Sequence, residues 1–150
     1  MVAAIFRRVP GRIEAENYGQ EGLGKSFFVK DTTKKATSYR TSEPVPMELI
    51  DTEGNRRRSG QGIRLGAEEW TAYTVHSLKS REYAGVVKVK AETAPTVIQL
   101  SVDDLTNDLS LAESGWVEIK INTLRFNEGA NRIQLSVKRG AVCVDWLDFE

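Results

Sequence analysis

Alternation of apolar and polar residues dominates the second half of the chain. Val86-Val87-Lys88-Val89-Lys90, Val97-Ile98-Gln99-Leu100-Ser101-Val102 and Arg132-Ile133-Gln134-Leu135-Ser136-Val137 each place aliphatic side chains at every second position. A strand sends successive side chains to opposite faces, so such rows line one face of a half-buried sheet, and helical spacing is hard to find anywhere. The alternation predicts strands over 12–16, 26–30, 61–65, 70–77, 83–92, 96–103, 116–122, 131–138 and 142–149. Turn signals separate them, among them Glu53-Gly54-Asn55, Ser114-Gly115 and Asn127-Glu128-Gly129. About nine such strands predict an all-β sandwich, because two antiparallel sheets packed face to face bury their apolar rows against each other. The least regular stretch, 31–59, carries Pro44 and Pro46 and reads as long loops with short edge strands.

A chain of 150 residues has room for one sizeable core and little more. We therefore expect one domain over 11–150, with residues 1–10 as a linker remnant of something longer. The 21 Lys and Arg residues balance 21 Asp and Glu residues, which argues against nucleic acid as a partner, since such binders carry a large basic excess. The apolar run at 1–6 is far shorter than the roughly 20 residues that span a bilayer, so no membrane partner is expected. It is also too short for the apolar region of a secretory signal, and Arg7-Arg8 follows it instead of preceding it.

Enzymatic constellations are hard to assemble. The single histidine, His76, stands on an expected strand, and no serine has nucleophile-elbow glycines beside it. The adjacent carboxylates Glu68-Glu69 and Asp103-Asp104 read as solvated turns, because neighbouring strand residues point to opposite faces and cannot confront each other across a sugar. Gly60-Gln61-Gly62 has no third glycine and no following helix, so it is no phosphate cradle. The one cysteine, Cys143, excludes an internal disulfide, and with one histidine it is too little for the usual zinc sites.

Three features bear on binding. Glu14 and Glu16 lie two apart in Ile13-Glu14-Ala15-Glu16-Asn17-Tyr18. On a strand their carboxylates share one face at about 6 to 7 Å, either as an exposed acidic face or around a hard divalent cation with six to eight oxygen ligands. Trp146 sits among Val144, Leu147 and Phe149 and reads as core. Trp70 and Trp116 fit either core packing or an exposed indole that stacks on a sugar ring. Arg56-Arg57-Arg58, with Arg64 downstream, is either a solvated loop or a cluster that recognises carboxylates or sulfates.

The ordered set of segments resembles carbohydrate-binding module family 6 and the related family 35 over nearly the whole chain. The resemblance is carried by Arg12-Ile13-Glu14-Ala15-Glu16-Asn17-Tyr18, Val29-Lys30-Asp31-Thr32-Thr33, Ser38-Tyr39-Arg40, Glu69-Trp70-Thr71-Ala72-Tyr73-Thr74-Val75, Ser114-Gly115-Trp116, Asn127-Glu128-Gly129-Ala130-Asn131-Arg132-Ile133-Gln134-Leu135 and Val144-Asp145-Trp146-Leu147-Asp148-Phe149. It implies a jelly-roll sandwich of the galactose-binding-like class that binds a polysaccharide or oligosaccharide without cleaving it. The usual setting is linkage to the catalytic domain of a secreted parent enzyme, hence an extracellular, periplasmic or cell-surface location. It also implies a structural calcium held by Glu14, Glu16, Asp145 and a carbonyl near Arg40, with Asp148 as the fallback ligand.

In the main cleft of such modules two aromatics clamp a sugar and an asparagine hydrogen-bonds it. Trp116 matches the second aromatic, whereas Arg64 falls where the first is expected and Cys143 where the asparagine is expected. A guanidinium stacks weakly but pairs bidentately with anions, so the departures direct the expectation towards acidic or sulfated glycans. The second site known in some members corresponds here to Trp70, with Gln20 near its polar position. A module that packs on a catalytic domain and binds no sugar is the alternative.

Overall fold

The computed structural model describes residues 7–33, 40, 42–50 and 60–150. Within them the chain forms ten strands and no helix: β1 (Arg7–Val9), β2 (Gly11–Glu14), β3 (Phe27–Phe28), β4 (Met47–Ile50), β5 (Gly60–Gly66), β6 (Trp70–Ser77), β7 (Arg81–Val102), β8 (Leu105–Leu111), β9 (Gly115–Phe126) and β10 (Gly129–Phe149). The alternation located β6 to the residue. It did not show that 83–92 and 96–103 belong to one continuous strand, nor that 131–138 and 142–149 do. Two strands were missed, β1 and β8, while β4 is one of the short edge strands expected within 31–59. β1, inside the segment expected as linker, pairs with β6 and buries Val9.

Strands β7 and β10 are long because each serves two sheets. In sheet I the 129–136 part of β10 lies beside β6, and its 133–139 part lies beside the 97–102 part of β7; β8 and the short β1 and β3 complete the layer. In sheet II the 141–149 part of β10 pairs with β5, with β2 and with the 85–93 part of β7, while β4 and β9 form the edges. Every pairing between strands is antiparallel except β1 with β6. The two sheets expected from the sequence are thus joined in one hydrogen-bonded ladder.

Burial parity records the crossing. On β7 the aliphatic core rows are Val87, Val89 and Ala91, then Ile98, Leu100 and Val102; on β10 the apolar core rows are Ile133, Leu135 and Val137, then Val142 and Val144, then Leu147 and Phe149. Each change from odd to even, or back, marks an extra residue where the strand bends, and on β10 these places coincide with register shifts between Val137 and Val142 and between Val144 and Trp146. The two inner faces meet in one apolar core that also takes Ile13, Tyr18, Phe27, Ile63, Leu65, Tyr73, Leu124 and Phe126.

The corner itself is held by close backbone approach. Gly140 has φ +85°, and a Cβ there would stand 2.3 Å from Thr96 Oγ1 and 3.1 Å from Pro95 O. Thr96, fully buried, donates its hydroxyl to the carbonyls of Thr93 and, at 3.3 Å, Ala141. Glycine is required by the conformation and by the space together.

Candidate functional site

The outer face of sheet II brings the three residues expected in a cleft, Arg64, Cys143 and Trp116, into one row. Arg64 on β5 stands opposite Cys143 on β10, Cys143 opposite Lys90 on β7, and Lys90 opposite Trp116 on β9. Residues directly opposite across strands share a face, and strand spacing puts about 14 Å of sheet between the first and last backbone of the row. The Trp116 indole is 36% exposed. Lys90 Nζ lies 5.2 Å and Lys88 Nζ 5.8 Å from its ring centroid, within cation–π range. Arg64 Nε is 3.7 Å from Glu92 Oε1, which also lies 3.9 Å from Lys90 Nζ. Cys143 is wholly buried beneath this row, so it forms the floor and offers no surface hydrogen bond. Arg56–Arg58 lie outside the described residues.

Sheet I carries the other tryptophan outward. Trp70 stands opposite Phe28 on one side and Ser136 on the other, and Ser136 opposite Gln99. The Arg132 guanidinium lies 5.5 Å from the Trp70 centroid and donates to Gln134 Oε1 and to the Lys25 carbonyl. Gln134 donates to Ser136 Oγ, and Gln99 donates to Asp108 Oδ1. Gln20 is exposed and follows Gly19, whose amide donates to the carbonyl of Ala72, two residues along β6 from Trp70.

The expected calcium ligands lie at the end of β2, on β10 and at Arg40, with the end of β2 tied to β10 by a backbone bond. Asp145 is the bulged residue of β10, and its carbonyl accepts the N–H of Ala15, the residue between Glu14 and Glu16. The Asp145 side chain is 3% exposed; its Oδ2 receives no hydrogen bond and lies 3.7 Å from Lys88 Nζ. Burial pushes its carboxyl above the usual range, against the opposing pull of the Lys88 and Arg12 cations. Arg40 enters with its side chain. Its guanidinium stacks 3.6 Å over the Tyr18 ring, donates to the carbonyls of Tyr18, Gly19 (2.7 Å) and Glu16 (3.4 Å), and pairs with Glu43. The Arg40 carbonyl accepts the N–H of Glu43.

The donor set is oxygen-only, and the buried Asp145 Oδ2 receives no hydrogen bond beside the Lys88 ammonium, a chemistry compatible with a hard cation such as calcium. Among the described residues, no three His, Cys, Asp or Glu side chains are grouped as a metal cluster. The fallback ligand Asp148 is engaged with Arg12 at 3.6 Å.

The acidic pairs considered for hydrolysis have structural work. Glu69 accepts from the amides of Gly66 and Lys30, Glu68 lies 3.7 Å from the Lys30 ammonium, and Asp103 accepts from the amide of Arg132.

No protein-family model matches the chain, and no curated protein does. Solved structures do. A family 6 carbohydrate-binding module from Clostridium stercorarium, in complex with cellobiose, superposes with a TM-score of 0.66 at 16% identity over 99% of this chain and 98% of that one. The fold is that of the family 6 carbohydrate-binding modules. A β-1,3-glucan-binding family 6 module from Bacillus halodurans gives a TM-score of 0.67 at 16% identity, covering 97% of this chain and 99% of that one. A family 36 module in complex with calcium and xylotriose gives 0.62 at 14% identity, over 93% and 98%. The jelly-roll sandwich expected from the sequence is therefore found.

Sequence reasoning missed Lys88 and Lys90, although their alternation with Val87 and Val89 is the pattern of a strand's polar face. What the sequence did not carry was the register that sets them beside Trp116. Arg132, Gln134 and Gln99 were missed around Trp70 for the same reason. The guanidinium role of Arg40 had no sequence signal.

Proposed function

We propose that the chain is a non-catalytic glycan-binding module whose binding surface is the outer face of sheet II. The observation that carries this reading is the row from Arg64 over Cys143 and Lys90 to Trp116. It combines an exposed indole, suited to the C–H face of a sugar ring, with cations on neighbouring strands. Lys88 and Lys90 flank the indole and Arg64 stands at the far end of the row, and these three cations favour glycans that carry carboxylates or sulfates. The neighbours' cellobiose, xylotriose and β-1,3-glucan ligands support the carbohydrate class. They do not bear on the anionic preference, which rests on the row alone.

Affinity electrophoresis tests it. Mobility in gels containing an acidic or sulfated polysaccharide is expected to fall more than in gels containing neutral xylan, and Trp116→Ala is expected to abolish the retardation. Equal retardation by neutral xylan removes the anionic preference.

A second reading places sugar on the outer face of sheet I, favoured by the Phe28 and Trp70 pair beside the Arg132–Gln134–Ser136 hydrogen-bond chain. Trp70→Ala, and not Trp116→Ala, then abolishes retardation.

Glu14, Glu16, Asp145 and the Arg40 carbonyl would hold a calcium ion in the proposed module. The ion would neutralise the buried Asp145 carboxylate and tie the end of β2 to β10. Metal analysis of the purified protein, with one calcium per chain expected, tests this part separately. The setting we propose is a segment linked to a polysaccharide-degrading enzyme outside the cytoplasm.

A further inference from the structure

Strand β9 is an edge. Over its 12 residues it pairs, among the described residues, only with β7. An edge strand presents a row of amides and carbonyls to whatever can add to it, and natural edges are commonly blunted by bulges, prolines or charged side chains, which repel a second edge unless its charges are complementary. Residues 116–122 of β9 contain no proline, and the register shift on this pairing lies further along, between Tyr83 and Gly85 of β7. The core-side residues of the edge are apolar and incompletely covered: Val117 is 40% exposed and Ile119 is half-buried.

The sequence of this edge is complementary to itself. If two copies of β9 run antiparallel about a two-fold axis through Ile119, residue 118 of one copy faces residue 120 of the other. Glu118 then meets Lys120 twice, on the same face, while Val117 meets Ile121 twice and Ile119 meets itself. Both Glu118 and Lys120 are exposed, and among the described residues neither takes part in an ion pair within 4.0 Å. Lys88, which stands opposite Glu118 across β7, has its ammonium 3.7 Å from Asp145. An isologous interface needs this property, that one patch be its own complement.

We propose that β9 is the interface of a two-fold homodimer, in which two sandwiches join sheet II edge to edge, centred on Ile119 and locked by two Glu118–Lys120 pairs. The occupant is a second copy of this chain because the charge order along the strand fits its own reverse. The partner's Trp116 would lie on the same outer face, six residue steps along the ladder, roughly 20 Å away. A polysaccharide chain touching both indoles would then be held with avidity. The dimer itself does not depend on sugar binding.

Sedimentation velocity over a range of protein concentrations tests the interface, starting from a 16.8 kDa chain. The unaltered protein is expected to double its mass with rising concentration. Glu118→Lys and Lys120→Glu each set two like-charge pairs at the dyad, and each is expected to weaken dimerisation by about tenfold or more. Mixing the two variants restores attraction at both positions, since one chain then carries two lysines and the other two glutamates, so a heterodimer is expected from two monomeric variants. Far-ultraviolet dichroism matching that of the unaltered protein confirms that the variants fold. A chain that stays monomeric at all concentrations overturns the proposal, as does a dimer indifferent to both reversals or a mixture that fails to associate.

Discussion

The turn of β10 from sheet I into sheet II rests on Gly140, and Gly140→Ala measures how tightly that corner is closed. Two costs add. A left-handed φ of +85° costs a residue with a Cβ roughly 1–2 kcal/mol. The new methyl would also stand 2.3 Å from Thr96 Oγ1 and 3.1 Å from both Pro95 O and Thr96 Cα. Two of these contacts are backbone, so the corner must shift, and forcing an extra carbon into packed surroundings costs about 1–3 kcal/mol. Together they predict a loss of about 2–5 kcal/mol. For a chain of this length each kcal/mol lowers Tm by about 2–4 °C, so the midpoint of thermal unfolding followed by circular dichroism should drop by roughly 4–20 °C. Gly129→Ala is the control, because Gly129 has φ +97° but nothing within 4 Å of its missing Cβ. It should show the conformational cost alone, about 2–8 °C. Equal shifts in the two variants would refute the close approach at the corner.

Other consequences follow from the loop after β2. Arg40→Ala leaves the carbonyls of Tyr18 and Gly19 without their donor and Glu43 without its cation, at a cost of roughly 2–4 kcal/mol. Arg40→Lys should recover little of it in urea titrations, since one ammonium cannot span several carbonyls. Burial pushes the phenols of Tyr18 and Tyr73 well above their ordinary 10.0. Both stay protonated in the folded state while the unfolded chain ionises, so stability should fall as pH rises above about 10. Their phenolate absorbance should appear together with the loss of strand dichroism. For calcium, chelation should lower Tm: an ion at a hundred times its Kd adds about 2.7 kcal/mol to the folded form, or about 5–10 °C. An unchanged Tm with no metal in the protein would contradict the bound ion.

The strand content of the fold was legible because burial here is one-sided, and one-sided burial writes a period of two into the sequence. Continuity of the long strands was not legible. Around 93–96 and 138–141 the period breaks where β7 and β10 change sheets, and a broken period looks the same as a loop. β8 was hidden because its core-side row, Leu105, Asn107, Leu109 and Leu111, is interrupted by Asn107, and of the row Leu105 is exposed and Leu111 alone is buried. Glu14, Glu16 and Asp145 were named together through the family resemblance, and the structure sets their strands side by side, with the Ala15 amide donating to the Asp145 carbonyl. Candidate binding residues were legible only as types. Trp116 and Arg64 were named as candidates, but the lysines that flank the indole depended on cross-strand register, which no local pattern encodes. Trp146, expected as core, is buried against the other side of β10, under the Arg12 guanidinium 3.8 Å away; the bulge at Asp145 turns it there.

The most direct measurement of the central claim is retardation of the purified chain in native gels containing a sulfated or uronic-acid polysaccharide, run beside Trp116→Ala and Trp70→Ala. The glycan-binding account predicts slowed migration of the unaltered chain and of Trp70→Ala, with Trp116→Ala migrating as in a gel without polysaccharide. Slowed migration that survives Trp116→Ala, or no retardation by acidic and neutral polysaccharides alike, would contradict it.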